Sequence, residues 1–168
     1  MLKLAIAHLP EGHSRLEQCV QPNDVGLTGN EEFRDPIEVV LDIEKVGNDF
    51  FVDLASSTQT RLICDRCLEP FTAALAEKSK IILSPDVKLD ETDEEEVFAI
   101  EENTKEVDIT NSVRQALLLG LPFKRLCHDD CKGLCPTCGT NLNKKTCHCR
   151  PVVIDSRWDA LRKLRKKM

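Results

Sequence analysis

Tyrosine is absent from this 168-residue chain, and the other aromatics amount to six Phe and one Trp. That scarcity argues against a base-stacking platform of the kind single-strand nucleic-acid binders build. Long apolar runs are missing too. The longest strictly apolar stretches, among them residues 4–7 and 116–119, are four residues long and fall far short of a signal-peptide core or of the ~20 residues needed to span a bilayer. A soluble, cytoplasmic protein with no membrane partner is expected. No Walker A loop, GxSxG elbow, HExxH pair or dinucleotide-type GxGxxG occurs, and no HxE lies upstream of a PCxxC as zinc deaminases require. With no positive sign of catalysis, the expectation is a protein that is not an enzyme.

What is present begins with ordinary globular usage, 41% hydrophobic and 31% charged, which excludes a fully disordered chain. The length fits one domain with a small appendage. The net charge of −6 hides two opposite parts. Residues 1–120 hold 25 Asp and Glu against 11 Lys and Arg, a net −14, whereas residues 121–168 hold 12 Lys and Arg against 4 Asp, a net +8. Such asymmetry suggests a basic tail that meets a polyanion and an acidic body that does not. A solvated terminal helix accounts for Arg162, Lys163, Arg165, Lys166 and Lys167 equally well when the tail is taken alone.

Periodicity gives the coarse structure. Residues 1–35 are punctuated by Pro10, Gly12, Pro22, Gly26 and Gly29 and read as short strands and loops. Ile37, Val39, Leu41 and Ile43 alternate with polar neighbours, the two-residue period of a half-buried strand. Residues 45–49 form a turn around Gly47 and Asn48. Residues 51–55 and 60–63 read as two separate strands, and residues 71–83 alternate again. No helical pattern separates these runs, so an antiparallel meander is predicted rather than an α/β crossover. Residues 86–108 carry 11 acidic residues and read as a solvated loop with a short strand at 97–100. A helix should follow Asp108 or Thr110, with Val113, Ala116, Leu117 and the run from Leu119 to Leu121 marking it as buried and Gly120 and Pro122 ending it. A last helix, residues 155–167, places Trp158, Leu161 and Leu164 on one side. The fold class is α+β: an antiparallel meander with a few short helices and a small C-terminal zinc-binding segment. The acidic, mainly β body covers 1–122, and the cysteine-rich knuckle with its basic helix covers 123–168.

Cysteine carries most of the chemistry, with nine in the chain. In a reducing compartment such a set points to metal or redox chemistry rather than disulfides. Cys64 and Cys67 form a CxxC pair at a strand end. A redox dithiol would open a helix in a βαβ unit, and Pro70 discourages a long helix there. The second cluster is more telling. Cys127, Cys131, Cys135, Cys138, Cys147 and Cys149 fall within 23 residues. Cys135-Pro-Thr-Cys138-Gly139 has the form of a zinc knuckle, with Gly139 free to adopt a positive φ after the second ligand. Four thiolates close a structural Zn²⁺ site and leave no position for water. The simplest tetrad is Cys135, Cys138, Cys147 and Cys149. Cys127 and Cys131 replace the last pair or join Cys64 and Cys67 in a second site, and spacing does not choose. His128 and His148 read as bystanders on a polar loop.

Several blocks in this order resemble the YceD family of large ribosomal RNA subunit accumulation proteins. They are the CDRCLEPF run from Cys64 to Phe71, Val107-Asp-Ile-Thr110, and the LLLGLP run from Leu117 to Pro122. The CKGLCPTCGTNLN block from Cys131 to Asn143, Cys147-His-Cys149, and Asp155-Ser-Arg-Trp-Asp-Ala-Leu161 complete the set. The resemblance spans about residues 35–165 and implies a role in the synthesis, processing or stability of large-subunit ribosomal RNA. Large-subunit RNA or a pre-ribosomal particle is then the partner. Beside that implication, Arg157, Arg162, Lys163, Arg165, Lys166 and Lys167 are the candidate phosphate contacts. Two alternatives stay open: an interaction module whose acidic face holds a basic ribosomal protein, and a thiol oxidoreductase using Cys64 and Cys67.

Overall fold

In the computed structural model, residues 1–85, 95–101 and 103–149 are described. The chain runs β1 (Lys3–Ala5), β2 (Gly12–Val20), a 3-10 turn (Pro22–Val25), β3 (Ile37–Val46), β4 (Asp49–Ile63), β5 (Pro70–Ser84), β6 (Glu95–Ala99), β7 (Glu106–Asp108) and α1 (Thr110–Leu119). Strands β2 to β6 form one sheet in sequence order, and β1 pairs with β7 in a second, two-stranded sheet.

Three of the four pairings in the large sheet are antiparallel, as the alternating pattern predicts. The fourth is not. β6 lies parallel to β5, with Lys80 opposite Glu95 and Ser84 opposite Ala99, so the sheet is mixed rather than a pure meander. A parallel neighbour needs a crossover connection, and the acidic run after Pro85 supplies the length for it. That run carries no alternation to announce the crossover. Two further differences have simple causes. β2 is a nine-residue strand at the sheet edge whose residues are all half-buried or exposed, so its hydrophobic period is faint. β4 is one strand of 15 residues, not two, because Ser56, Thr58 and Thr60 occupy its inward positions. Thr58 Oγ1 donates to the Pro36 carbonyl at 2.9 Å and Thr60 Oγ1 to the Ala73 carbonyl at 2.9 Å. Both hydroxyls are thereby buried at little cost, yet they break the apolar signal.

One face of the sheet makes the core. Ile37, Val39, Leu41 and Ile43 of β3, Phe50, Val52 and Leu54 of β4, and Ile81 and Leu83 of β5 are all buried in one cluster. Leu2, Leu4, Ile6, Val107, Ile109, Val113 and Leu117 join them from the small sheet and α1. Each fully buried Leu or Ile contributes about 1.5–3 kcal/mol over its exposed state. α1 begins one residue later than an Asp108 cap requires, with buried Ile109 as its N-cap. Asp108 Oδ1 still accepts from the Thr110 N–H at 3.0 Å, while Thr110 Oγ1 accepts from the Leu2 N–H at 2.7 Å and ties the helix start to β1. Leu119, the last residue of α1, is exposed rather than buried. Among the described residues, no helix is long and apolar enough to cross a membrane.

Candidate metal centres

β4 and β5 are the two longest strands, and their shared end projects Cys64 and Cys67 in the connection between them. Cys64 N–H donates to the Glu69 carbonyl at 3.0 Å and Leu68 N–H to the Cys64 carbonyl at 2.9 Å, closing a tight turn. Residues 123–149 come back to this turn and pair with it through the backbone. Asp65 N–H donates to the Arg125 carbonyl at 2.8 Å, and the Arg125 N–H returns a bond to Asp65 Oδ2 at 2.7 Å. Leu134 N–H reaches the Arg66 carbonyl at 3.1 Å, and the Arg66 guanidinium donates to the Cys131 carbonyl at 2.8 Å. Glu32, on the loop before β3, pairs with Arg125 at 2.6 Å. Gly133 is required at the closest approach: its φ is +74°, and a Cβ there would stand 3.1 Å from the Arg66 carbonyl oxygen.

This docking brings Cys64, Cys67, Cys127 and Cys131 together, and Cys135, Cys138, Cys147 and Cys149 form a second group. Within each group the four sulfurs lie within 4.8 Å of one another. Cys64 Sγ is 3.8 Å from Cys131 Sγ, and Cys67 Sγ is 3.7 Å from Cys127 Sγ. Sulfurs ~2.3 Å from one tetrahedral zinc ion stand about 3.8 Å apart, so both the donor set and the spacing fit a Cys₄ ion. The spacing argument left the partner of Cys127 and Cys131 open; the fold pairs them with Cys64 and Cys67. The first tetrad therefore draws on both the sheet and the C-terminal segment, whereas the second is local to one stretch of 15 residues.

The surroundings differ as well. Cys64, Cys67 and Cys131 are buried against Phe71 and Leu126. In the second group only Cys135 is buried, while Cys138 and Cys149 are exposed. Its turn is closed by Gly139 N–H donating to the Cys135 carbonyl at 2.9 Å, and Cys135 N–H donates to the Thr140 carbonyl at 2.8 Å.

Each tetrad holds one thiol low and another high. Burial opposes ionisation of Cys64, but N–H groups of Cys67, Cys127 and Arg66 outweigh it and bring the thiol down to about 6. The Cys138 and Thr137 N–H groups bring Cys135 to about 6. Cys127 is pushed up to about 12 by burial and by its neighbouring cysteines, and Cys149 to about 12 by Cys138 and burial. Four sulfurs this close cannot all carry charge unless a cation lies among them.

Several supporting residues escaped the sequence reading. Asn143 Nδ2 donates to Cys131 Sγ at 3.2 Å, and its Oδ1 accepts from the Lys132 N–H at 2.8 Å. Asn141 Nδ2 and Lys144 Nζ donate to Glu69 Oε1 at 3.3 and 2.7 Å. Lys144 first and Asn141 second hold the Glu69 carboxyl below its ordinary range. The only sequence signal for these partners was the two asparagines that close the CKGLCPTCGTNLN block. His128 Nδ1 sits 3.0 Å from Cys127 Sγ, beside the tetrad and not among its four donors. Arg157, Arg162, Lys163, Arg165, Lys166, Lys167 and the predicted last helix lie outside the described residues.

The family model described as large ribosomal RNA subunit accumulation protein YceD matches residues 52–165. An uncharacterized protein of Mycobacterium tuberculosis is 34% identical over 127 residues, covering 74% of this chain and 60% of its own length. The chain thus spans less than two thirds of that relative. The chloroplastic YCED homolog 1 of Zea mays, named as a large ribosomal RNA subunit accumulation protein, is 26% identical over 162 residues, 76% of this chain and 55% of the relative. Its Arabidopsis thaliana namesake is 38% identical over 64 residues, 38% of this chain and 20% of the relative. No solved structure matches the chain.

Proposed function

This chain belongs to the YceD family, and from that premise we propose that it supports the synthesis, processing or stability of large-subunit ribosomal RNA as a non-enzymatic factor, with a structural zinc ion in each cysteine tetrad. The observation that carries the zinc reading is the pair of complete Cys₄ groups, each already at ion-compatible spacing. A zinc ion so bound supplies no reactive water and acts as a cross-link between chain segments. At the first tetrad, Cys64 and Cys67 hold the strand end while Cys127 and Cys131 hold the returning segment, and Arg66 and Asp65 orient the two backbones. The thiol oxidoreductase alternative loses ground because both of its cysteines are buried inside a four-sulfur group.

The RNA part of the proposal rests on the family and on charge. The basic C-terminal part is the candidate phosphate contact, with Arg157, Arg162, Lys163, Arg165, Lys166 and Lys167 at its end, and the acidic body leaves phosphate alone. A cytoplasmic setting belongs to the same proposal. The test is direct. Deleting the gene in its host should lower the ratio of large- to small-subunit ribosomal RNA, with the full chain restoring it. An unchanged ratio contradicts the proposal. Truncating residues 157–168 should abolish a salt-sensitive RNA mobility shift. A chain that binds a basic ribosomal protein and never shifts RNA would instead establish the interaction-module alternative.

A further inference from the structure

The two tetrads are joined by a short hairpin, residues 133–143, closed by backbone contacts. Leu134 bridges to Asn141, and Leu142 N–H donates to the Gly133 carbonyl at 2.9 Å. Cys135 and Cys138, ligands of the second group, sit in the loop that the Leu134–Asn141 bridge closes. On the other side, the hairpin touches the first group at two points. Leu134 N–H binds the Arg66 carbonyl inside the Cys64–Cys67 turn, and Asn143 Nδ2 binds Cys131 Sγ. Asn143 also accepts from Lys132 N–H, so one amide is fixed at both ends.

We infer that the two tetrads take up metal cooperatively, coupled through this hairpin, and that Asn143 is the positioning residue that transmits the coupling. The inference rests on reading both tetrads as metal centres. An ion in the second group fixes the Cys135–Gly139 turn, and with it the Cys135 bond to the Thr140 carbonyl that sets where Asn141 and Asn143 emerge. Asn143 is then already placed to donate to Cys131, and a hydrogen bond to a ligand sulfur favours the thiolate that the ion requires. In the other direction, an ion in the first group fixes Arg66 and Cys131, which anchor Leu134 and Asn143. Backbone ordered by the first ion need not be ordered again by the second, and this produces positive coupling without new contacts.

The experiment titrates the full reduced, metal-free chain with Co²⁺, read by its thiolate charge-transfer bands, and then with Zn²⁺ against a chromophoric chelator. Removing the second tetrad with Cys138→Ser and Cys149→Ser should weaken zinc at the first about tenfold. Removing the first with Cys64→Ser and Cys67→Ser should weaken the second by the same factor, because linkage is reciprocal. Asn143→Ala should weaken the first site about tenfold and leave it indifferent to the Cys138 and Cys149 changes. In that variant the cobalt band of the saturated first site should move to longer wavelength, since losing an N–H bond raises the sulfur lone pair. A residue that only held the hairpin's shape would not move that band. First-site affinity unaltered by loss of the second tetrad, or an unmoved band, overturns the inference while the metal reading stands. A chain that binds neither ion overturns both.

Discussion

The two CxxC turns are built alike and supported differently. In both, the residue after the second cysteine is left-handed, Leu68 at φ +59° and Gly139 at φ +71°, and donates its N–H to the first cysteine's carbonyl at 2.9 Å. Cys64 and Cys67, however, lie between two 15-residue strands, so the sheet orders their turn. Cys135 and Cys138 hang on a few hairpin bonds, two of their tetrad's members are exposed, and glycine takes the left-handed position. The turn backed by the sheet tolerates a leucine that is strained by about 1–2 kcal/mol. The unsupported turn uses the residue that incurs no such strain. On the proposed zinc reading, what the sheet does for the first turn an ion does for the second.

Substitutions at and around the two turns test this difference. The largest effect should come from Cys131→Ser, which opens the first tetrad. Structural zinc contributes on the order of 10 kcal/mol to the order it imposes, so the Asp65 and Leu134 amides should lose protection in hydrogen exchange while the sheet interior keeps its own. Continued protection at both amides would mean that packing alone clamps the segment. Next, Leu54→Ala should destabilise the body by about 2–5 kcal/mol in thermal melts. The second tetrad's zinc affinity should change far less, since its four ligands are local.

Smaller and opposite in sign are the two left-handed positions. Gly139→Ala meets no atom within 4 Å, so only backbone strain counts and a loss of about 1–2 kcal/mol is expected. Leu68→Gly relieves the same strain but loosens the unfolded chain, leaving a gain of at most about 1 kcal/mol. Two changes of the same sign would show that the turns are not equivalent. Smallest is Glu69→Gln, which removes the carboxylate held by Lys144 and Asn141. Its folded pKa lies below the ordinary 4.5, so the contact is fully present above that value and is lost as pH falls through the depressed one. The difference between variant and parent in melts should therefore be present at pH 7 and shrink in acid. A difference that grew in acid would contradict the assignment.

The sequence made β3 and α1 legible because their apolar positions keep period, and β5 because it alternates over much of its length before ending in a consecutively buried run. β4 was split because Ser56, Thr58 and Thr60 fill its inward sites, and the hydrogen bonds that let the two threonines be buried are invisible in a sequence. The parallel β6 was illegible because nothing in an acidic run specifies which edge a later strand will join. For the tetrads, the residue types and the local knuckle were readable from spacing. The membership of Cys127 and Cys131 was not, since it depends on a contact bridging about 60 residues that only the fold brings together. Asn143 escaped for the same reason: its partner sulfur lies 12 positions away on a separate turn.

The most direct test of the account is the zinc content per chain, by elemental mass spectrometry on protein purified without chelator. The account predicts two ions per chain, with Cys64→Ser falling to one and leaving the second tetrad loaded. A single ion in the unaltered chain, or none with every thiol free, would contradict the claim that one ion bolts the cysteine-rich segment to the sheet and another builds its own turn.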